Sequence, residues 1–222
     1  MSTIANNLKK VQKTLPANVS LITVSKSKPI EAIAEAYLAG QRAFGENKTQ
    51  EMAVKYPQLP LNIQWHFVGH LQSNKVKYIA SFVHLIHSVD SVRLLEVISK
   101  HAKKHNRTID CLLQFYISQD ETKYGFTLDE ADEMLQGGRF KQIHNIRLCG
   151  VMGMATLTDN SEQIRQEFQM LKRYFDFLKE KYYEEEDYFK EISMGMSDDY
   201  LLAVAEGATM VRIGSAVFGK RE

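Results

Sequence analysis

FKEISMGMSDDYLLAVAEGATMVRI, residues 189–213, decides the fold. Its ends, 189–194 and 210–213, are short apolar runs of strand type, and 198–206 between them has helical spacing. Outward from this stretch the same alternation repeats. Toward the N-terminus lie a strand at 146–152 and a long amphipathic helix whose seam is Ile164, Phe168, Leu171, Phe175, Leu178 and Tyr182. Before these come a strand at 108–117 with a helix at 128–136, and a strand at 82–87 with a helix at 91–105. Strands at 62–68, 41–45 and 19–25 are followed by helices at 73–80, at 46–56 (stopped by Pro57), and across Ile30, Ile33, Ala34 and Tyr37 to a cap at Gly40. Eight strands separated by seven helices predict an α/β fold, a parallel sheet closed into a single (β/α)8 barrel of one domain, residues 1–222. Only nine residues follow Ile213, too few for a full last helix, and Ile4, Leu8, Val11 and Leu15 mark an extra N-terminal helix able to cover the gap.

Composition narrows the function. The 222 residues are 44% hydrophobic and 25% charged, the mix of a soluble globular domain. Twenty-eight Lys and Arg against 27 Asp and Glu leave a net charge of +1, without the basic excess of a nucleic-acid binder. The longest apolar stretch, 80–89, is interrupted by His84 and His87 and is too short to span a bilayer, so no membrane partner is expected. No secretory signal is read at the N-terminus. Cys111 and Cys149 sit in apolar strand-like runs and read as reduced, buried thiols of a cytoplasmic protein, although sequence alone leaves a bridge between them open.

In such barrels ligand groups come from the C-terminal ends of strands. Lys26 follows the strand residues Leu21-Ile22-Thr23-Val24. At that place a lysine either projects into the barrel mouth as a nucleophilic amine or reaches water, as Lys28 is expected to; position alone favours water. Ser193-Met194-Gly195-Met196-Ser197-Asp198-Asp199 runs from strand to helix, with Ser197 placed to cap it. Arg212-Ile213-Gly214-Ser215 ends the last strand. These two adjacent exits form the usual phosphate corner of an α/β barrel, provided Asp198 and Asp199 both point outward. Arg212 either pairs with a carboxylate or faces a ligand ring nitrogen, holding it unprotonated. His66 and His70 lack Cys or acidic partners, so no metal site is read; His66 is expected to be a buried hydrogen-bonding residue. No dinucleotide loop, P-loop or nucleophile elbow occurs.

Taken in order, VSKSKP (24–29), FGEN (44–47), WHFVGHLQSNK (65–75), HSVDS (87–91), SMGMSDD (193–199) and VRIGSAVFG (211–219) resemble the pyridoxal phosphate homeostasis proteins across almost the whole chain. The resemblance implies a TIM barrel similar to the N-terminal domain of bacterial alanine racemase, binding pyridoxal 5′-phosphate (PLP) as cofactor. It implies that Lys26 forms a Schiff base with the aldehyde and that Asn47 lies near the ring. Arg212 would then face the pyridine nitrogen, while Ser197 with the amides of Gly214 and Ser215 cradles the phosphate. Ser193 and Met194 are weaker cofactor-binding candidates on the same strand end. His70, where many members carry proline, and Tyr124-Gly125-Phe126 depart from the family pattern at the pocket mouth.

The implied activity is that of a monomeric carrier, not an enzyme, which buffers PLP and delivers it to PLP-dependent apoenzymes. The racemase's second domain, with its acid–base tyrosine, has no counterpart after the last strand. An amino-acid racemase or lyase using Lys26 as its single base stays open, as does a barrel binding another phosphorylated metabolite.

Overall fold

The computed structural model describes residues 2–119 and 124–219. Helix α1 (Thr3–Thr14) precedes the barrel, capped by the Ser2 side chain on the Ala5 N–H. The strands are β1 (Ser20–Val24), β2 (Ala43–Glu46), β3 (Gln64–Phe67), β4 (Leu85–Val89), β5 (Ile109–Gln114), β6 (Ile146–Met152), β7 (Glu191–Ser193) and β8 (Met210–Ile213). All neighbours pair in parallel, and β8 pairs with β1, so the eight-stranded barrel predicted from the alternation is closed.

The outer helices are α2 (Ile30–Leu38), α3 (Thr49–Lys55), α4 (Val92–Lys104), α5 (Leu128–Gln136), α6 (Ser161–Tyr182), α7 (Tyr200–Ala205) and α8 (Ser215–Phe218). Local chemistry sets several of their ends: Ser91 caps α4, Asn160 caps α6, and Thr127 with Glu130 forms a capping box at α5. The segment expected to be a helix at 73–80 is instead a 3₁₀ helix, Ser73–Tyr78. Three residues per turn put Val76 and Ile79 on one side, and both are fully buried, so the tighter winding serves the packing. After β8 the described residues form the short α8, and α1 packs against it and α2, burying Leu8 and Val11. Asn7 Nδ2 donates to the Val217 carbonyl at 3.2 Å, tying the two ends of the chain together.

Alternation along each strand divides the side chains into an outer core beneath the helices and the barrel interior. The interior holds an apolar cluster of Ile22, Leu85, Leu112, Cys149, Met152 and Met210. Cys111 belongs to the outer core and Cys149 to the interior one, and both are free thiols, so the bridge left open by the sequence is not formed.

One glycine permits a close approach of β6 to β7. Gly150 (φ +149°) lies where a Cβ would sit 1.9 Å from the Glu191 carbonyl oxygen, beside a register irregularity between β5 and β6. Gly150→Ala is expected to cost about 3 kcal/mol or more, since the clash is with backbone and the φ is unfavourable for any side chain. Urea unfolding measures this; an unchanged midpoint would refute it.

Candidate cofactor-binding site

A cavity of about 430 Å³ opens at the C-terminal ends of the strands, within the range of small-ligand sites. Six of the residues picked out from the sequence line it: Lys26, Asn47, Ser197, Arg212, Gly214 and Ser215. Ser193 and Met194 do not; both are fully buried behind the wall. Lys28, expected to reach water, also lines the cavity, and its Nζ donates to the Phe218 carbonyl at 3.2 Å.

Lys26 leaves β1 in a turn whose next residue, Ser27, has φ +61°. Asn47, just beyond β2, is packed against Gly69, where a Cβ would lie 2.5 Å from the Asn47 carbonyl oxygen. The FGEN and WHFVGH segments therefore meet backbone to backbone, and only glycine fits at 69.

Arg212 reaches the cavity from β8 and is only 5% exposed. None of the described ion pairs includes it. Instead Nη1 donates to Ser193 Oγ at 2.7 Å and Nη2 to the Gly153 carbonyl at 3.0 Å. Burial pushes its pKa down to about 10, with the nearby Asp199 carboxylate opposing, so it stays charged at neutral pH.

Behind Arg212 a hydrogen-bonded chain crosses the barrel interior. Ser193 Oγ is 2.8 Å from His87 Nδ1, and His87 Nε2 is 2.9 Å from His66 Nδ1. One proton order uses every donor of the chain. Arg212 only donates, so the Ser193 hydroxyl accepts from it, and in that order it gives its own proton to His87 Nδ1. His87 then carries its proton on Nε2 and donates to His66 Nδ1, leaving the His66 proton on Nε2, a buried atom with no described partner. Both imidazoles are neutral: burial lowers the pKa of His66 to about 3 and that of His87 well below its ordinary value. His66 is thus the buried hydrogen-bonding residue expected from sequence. Ser193→Ala is expected to destabilise the fold by roughly 1–3 kcal/mol, because it strands a guanidinium N–H and an imidazole nitrogen in the interior. Equilibrium denaturation measures the loss, and a variant as stable as wild type would show the chain to be dispensable.

The phosphate corner is built differently from expectation. Ser197 does not cap a helix. Residues 196–199 form a turn in which the Asp199 carboxylate accepts the Met196 N–H, and α7 begins only at Tyr200. The Ser197 hydroxyl is thereby spared from capping and lines the cavity. Asp199 is half-buried with its pKa raised, chiefly by burial, and accepts the Met196 N–H, while the exposed Asp198 stands on the cavity rim. The outward condition read from the sequence is thus not met by Asp198, and the rim tolerates its charge beside an anion because it is solvated and screened there. Opposite, Gly214 would bring a Cβ within 3.1 Å of the Val24 carbonyl oxygen, which keeps the α8 start bare next to β1.

His70 and Tyr124, read from the sequence as departures at the pocket mouth, line the cavity, whereas Gln114 was not picked out, and His70 does have an acidic neighbour, Asp90, that the sequence reading lacked. His70 stacks on Tyr124 with ring centroids 3.9 Å apart, and its Nδ1 lies 3.2 Å from Asp90 Oδ2. Gln114, at the end of β5, donates to the Tyr124 carbonyl at 2.7 Å. Strand alternation from Leu112 was the available signal for Gln114. Among the described residues no group of three His, Cys, Asp or Glu side chains is arranged to hold a metal ion, and no helix is long and apolar enough to cross a membrane.

A closed eight-stranded barrel with a lysine and a buried arginine in one strand-end cavity defines a class, and the family described as Alanine racemase, N-terminal domain, matches residues 1–222. The pyridoxal phosphate homeostasis protein of Aquifex aeolicus (strain VF5) is 38% identical over 91% of this chain and 87% of its own length. That of Escherichia coli (strain K12) is 36% identical over 100% of this chain and 98% of its own. PipY of Synechococcus elongatus PCC7942, solved with PLP bound, superposes with a TM-score of 0.88 at 36% identity, covering 97% of this chain and all of that one. The chain belongs to the pyridoxal phosphate homeostasis protein family.

Proposed function

We infer that this protein binds PLP and serves its homeostasis, with Lys26 as the covalent anchor. The observation that carries this is Arg212: a charged guanidinium, buried and held by neutral partners, in the wall of the cavity that Lys26 also lines. A buried cation whose hydrogen bonds go to neutral groups, with the Asp199 carboxylate near but not paired to it, is costly unless the site's ligand complements it. A phosphorylated pyridine aldehyde does so, and it also needs an amine and an anion cradle. Lys26 would supply the amine for condensation with the aldehyde carbon, with release of water. Arg212 would face the ring nitrogen and hold it unprotonated, Asn47 would lie beside the ring, and Ser197 with the Gly214 and Ser215 amides would receive the phosphate. When bound, PLP supplies a reactive aldehyde and an electron-poor ring. An arginine rather than a carboxylate at the ring nitrogen would leave that ring the weaker electron sink, which agrees with buffering and delivery to PLP-dependent apoenzymes but does not by itself separate a carrier from a racemase.

Borohydride reduction of the PLP-loaded protein followed by intact and peptide mass spectrometry tests the anchor: one pyridoxyl adduct, on Lys26, is expected. No adduct would favour a non-covalent phosphorylated ligand instead. Incubation of the loaded protein with individual amino acids tests the carrier role, and sustained turnover in excess of protein would replace it with an enzymatic one.

A further inference from the structure

We propose that Lys55, together with Glu46 and Glu51, is the positioning device for Lys26. The inference rests on the PLP reading above and concerns residues that do not line the cavity around Lys26.

Lys55, at the end of α3, is 5% exposed, and Glu46, at the end of β2, is fully buried. Lys55 Nζ uses all three of its protons: on Glu46 Oε1 at 2.8 Å, on Glu51 Oε1 at 2.7 Å, and on the Ser25 carbonyl at 2.9 Å. The same carboxylates grip the residues flanking Lys26. Ser25 Oγ donates to Glu46 Oε1 at 2.6 Å, and the Ser27 N–H donates to Glu51 Oε1 at 2.6 Å. Residues 25 and 27 are thus tied, by backbone and side chain, to one ammonium and its two carboxylates. The tie from Glu51 falls on the residue in the left-handed region, where a serine needs outside support. Between these two tied residues Lys26 lines the cavity, as does Lys28 at the end of the turn, whose Nζ is engaged by the Phe218 carbonyl.

The cluster is costly for a merely structural element. A buried ion pair contributes little net stability over apolar packing, and Glu46 Oε2 is buried with no described partner. What it provides is direction: charge-assisted bonds are short and hold the backbone of residues 25 and 27 in one geometry. Presenting an amine to an aldehyde carbon requires that precision, whereas holding a phosphate or a ring does not.

The test separates those two demands. PLP needs the Lys26 amine; pyridoxine 5′-phosphate, which lacks the aldehyde, does not. Lys55→Met is expected to weaken imine formation with PLP, read by absorbance and by borohydride-trapped adduct on Lys26, at least tenfold. Its affinity for pyridoxine 5′-phosphate should stay within twofold of wild type. Should Lys55→Met fail to fold, Glu51→Ala is the second variant, since Glu51 is partly exposed and its loss frees the Ser27 N–H; the same split, at least threefold, is expected. Equal loss of both ligands, or wild-type imine formation in a folded variant, overturns the positioning role alone. Absence of an imine on Lys26 in the wild type overturns the cofactor reading, and this inference with it.

Discussion

Lys26→Ala should abolish the borohydride-trapped pyridoxyl adduct completely while the folded protein stays within about 0.5 kcal/mol of wild-type stability. Lys26 is half-buried in a turn, outside the two hydrophobic clusters, so its truncation opens no core void. The neighbouring clamp is built from Ser25, Ser27, Glu46, Glu51 and Lys55 and does not use the Lys26 side chain. What disappears is the covalent tether. The remaining contacts from Arg212, Ser197 and the Gly214–Ser215 backbone should still hold PLP, more weakly by at least tenfold, or about 1.4 kcal/mol. Titration followed by gel filtration distinguishes the two effects: the variant should release PLP on dilution where wild type retains it. An adduct that persists on another lysine of the variant would show that Lys26 is not the anchor.

Acid should destabilise the protein well above the carboxylate range. His66 and His87 are neutral in the folded state, with pKa values depressed by burial, His66 to about 3. In the unfolded chain each returns to about 6.5, so below that pH the unfolded state binds protons that the folded state refuses. The stabilisation is therefore complete above pH 6.5 and is lost as pH falls toward the folded values. From pH 6.5 to 5 the loss from His66 is about 1.6 kcal/mol, and His87 adds a loss of the same sign. Glu46 and Asp199, whose pKa values burial raises, contribute the opposite slope in their own range, so the sharper measurement is a difference. In His87→Asn the dependence of unfolding free energy on pH between 6.5 and 5.5 should be flatter than wild type by about 1 kcal/mol over that unit. Parallel profiles would mean that His87 titrates normally and that the interior chain is not as neutral as its burial requires.

Much of the barrel was legible because its elements carry their own boundaries. Helix α5 runs Leu128–Gln136 and strand β6 runs Ile146–Met152, each where the pattern put it, since a capping box opens the first and an apolar run defines the second. The helix expected at 73–80 was misread because a 3₁₀ turn and an α-helix bury residues at i and i+3 alike. Ser197 was misread for a related reason: serine, aspartate and aspartate in succession each qualify as a cap, and only the turn at Met196 decides among them. The role of Lys55 was invisible, because a lysine at the end of a helix ordinarily reaches water.

What the sequence alone determined is the order of strands and helices and the strand ends at which ligand groups gather, both consequences of local periodicity. The ordered motifs, through their resemblance, also singled out Lys26, Asn47, Ser197, Arg212, Gly214 and Ser215. Only the tertiary structure decided how those residues are supported. His66, His87, Ser193 and Arg212 come from β3, β4, β7 and β8, and closing the barrel makes them one hydrogen-bonded chain. Ser25, Glu46 and Lys55 likewise meet only because α3 folds back over β1 and β2. Hydrogen bonds act over about 3 Å and carry no trace of sequence separation. A pattern read along the chain reveals which way a strand faces, but the partner across the barrel exists only once the sheet has closed.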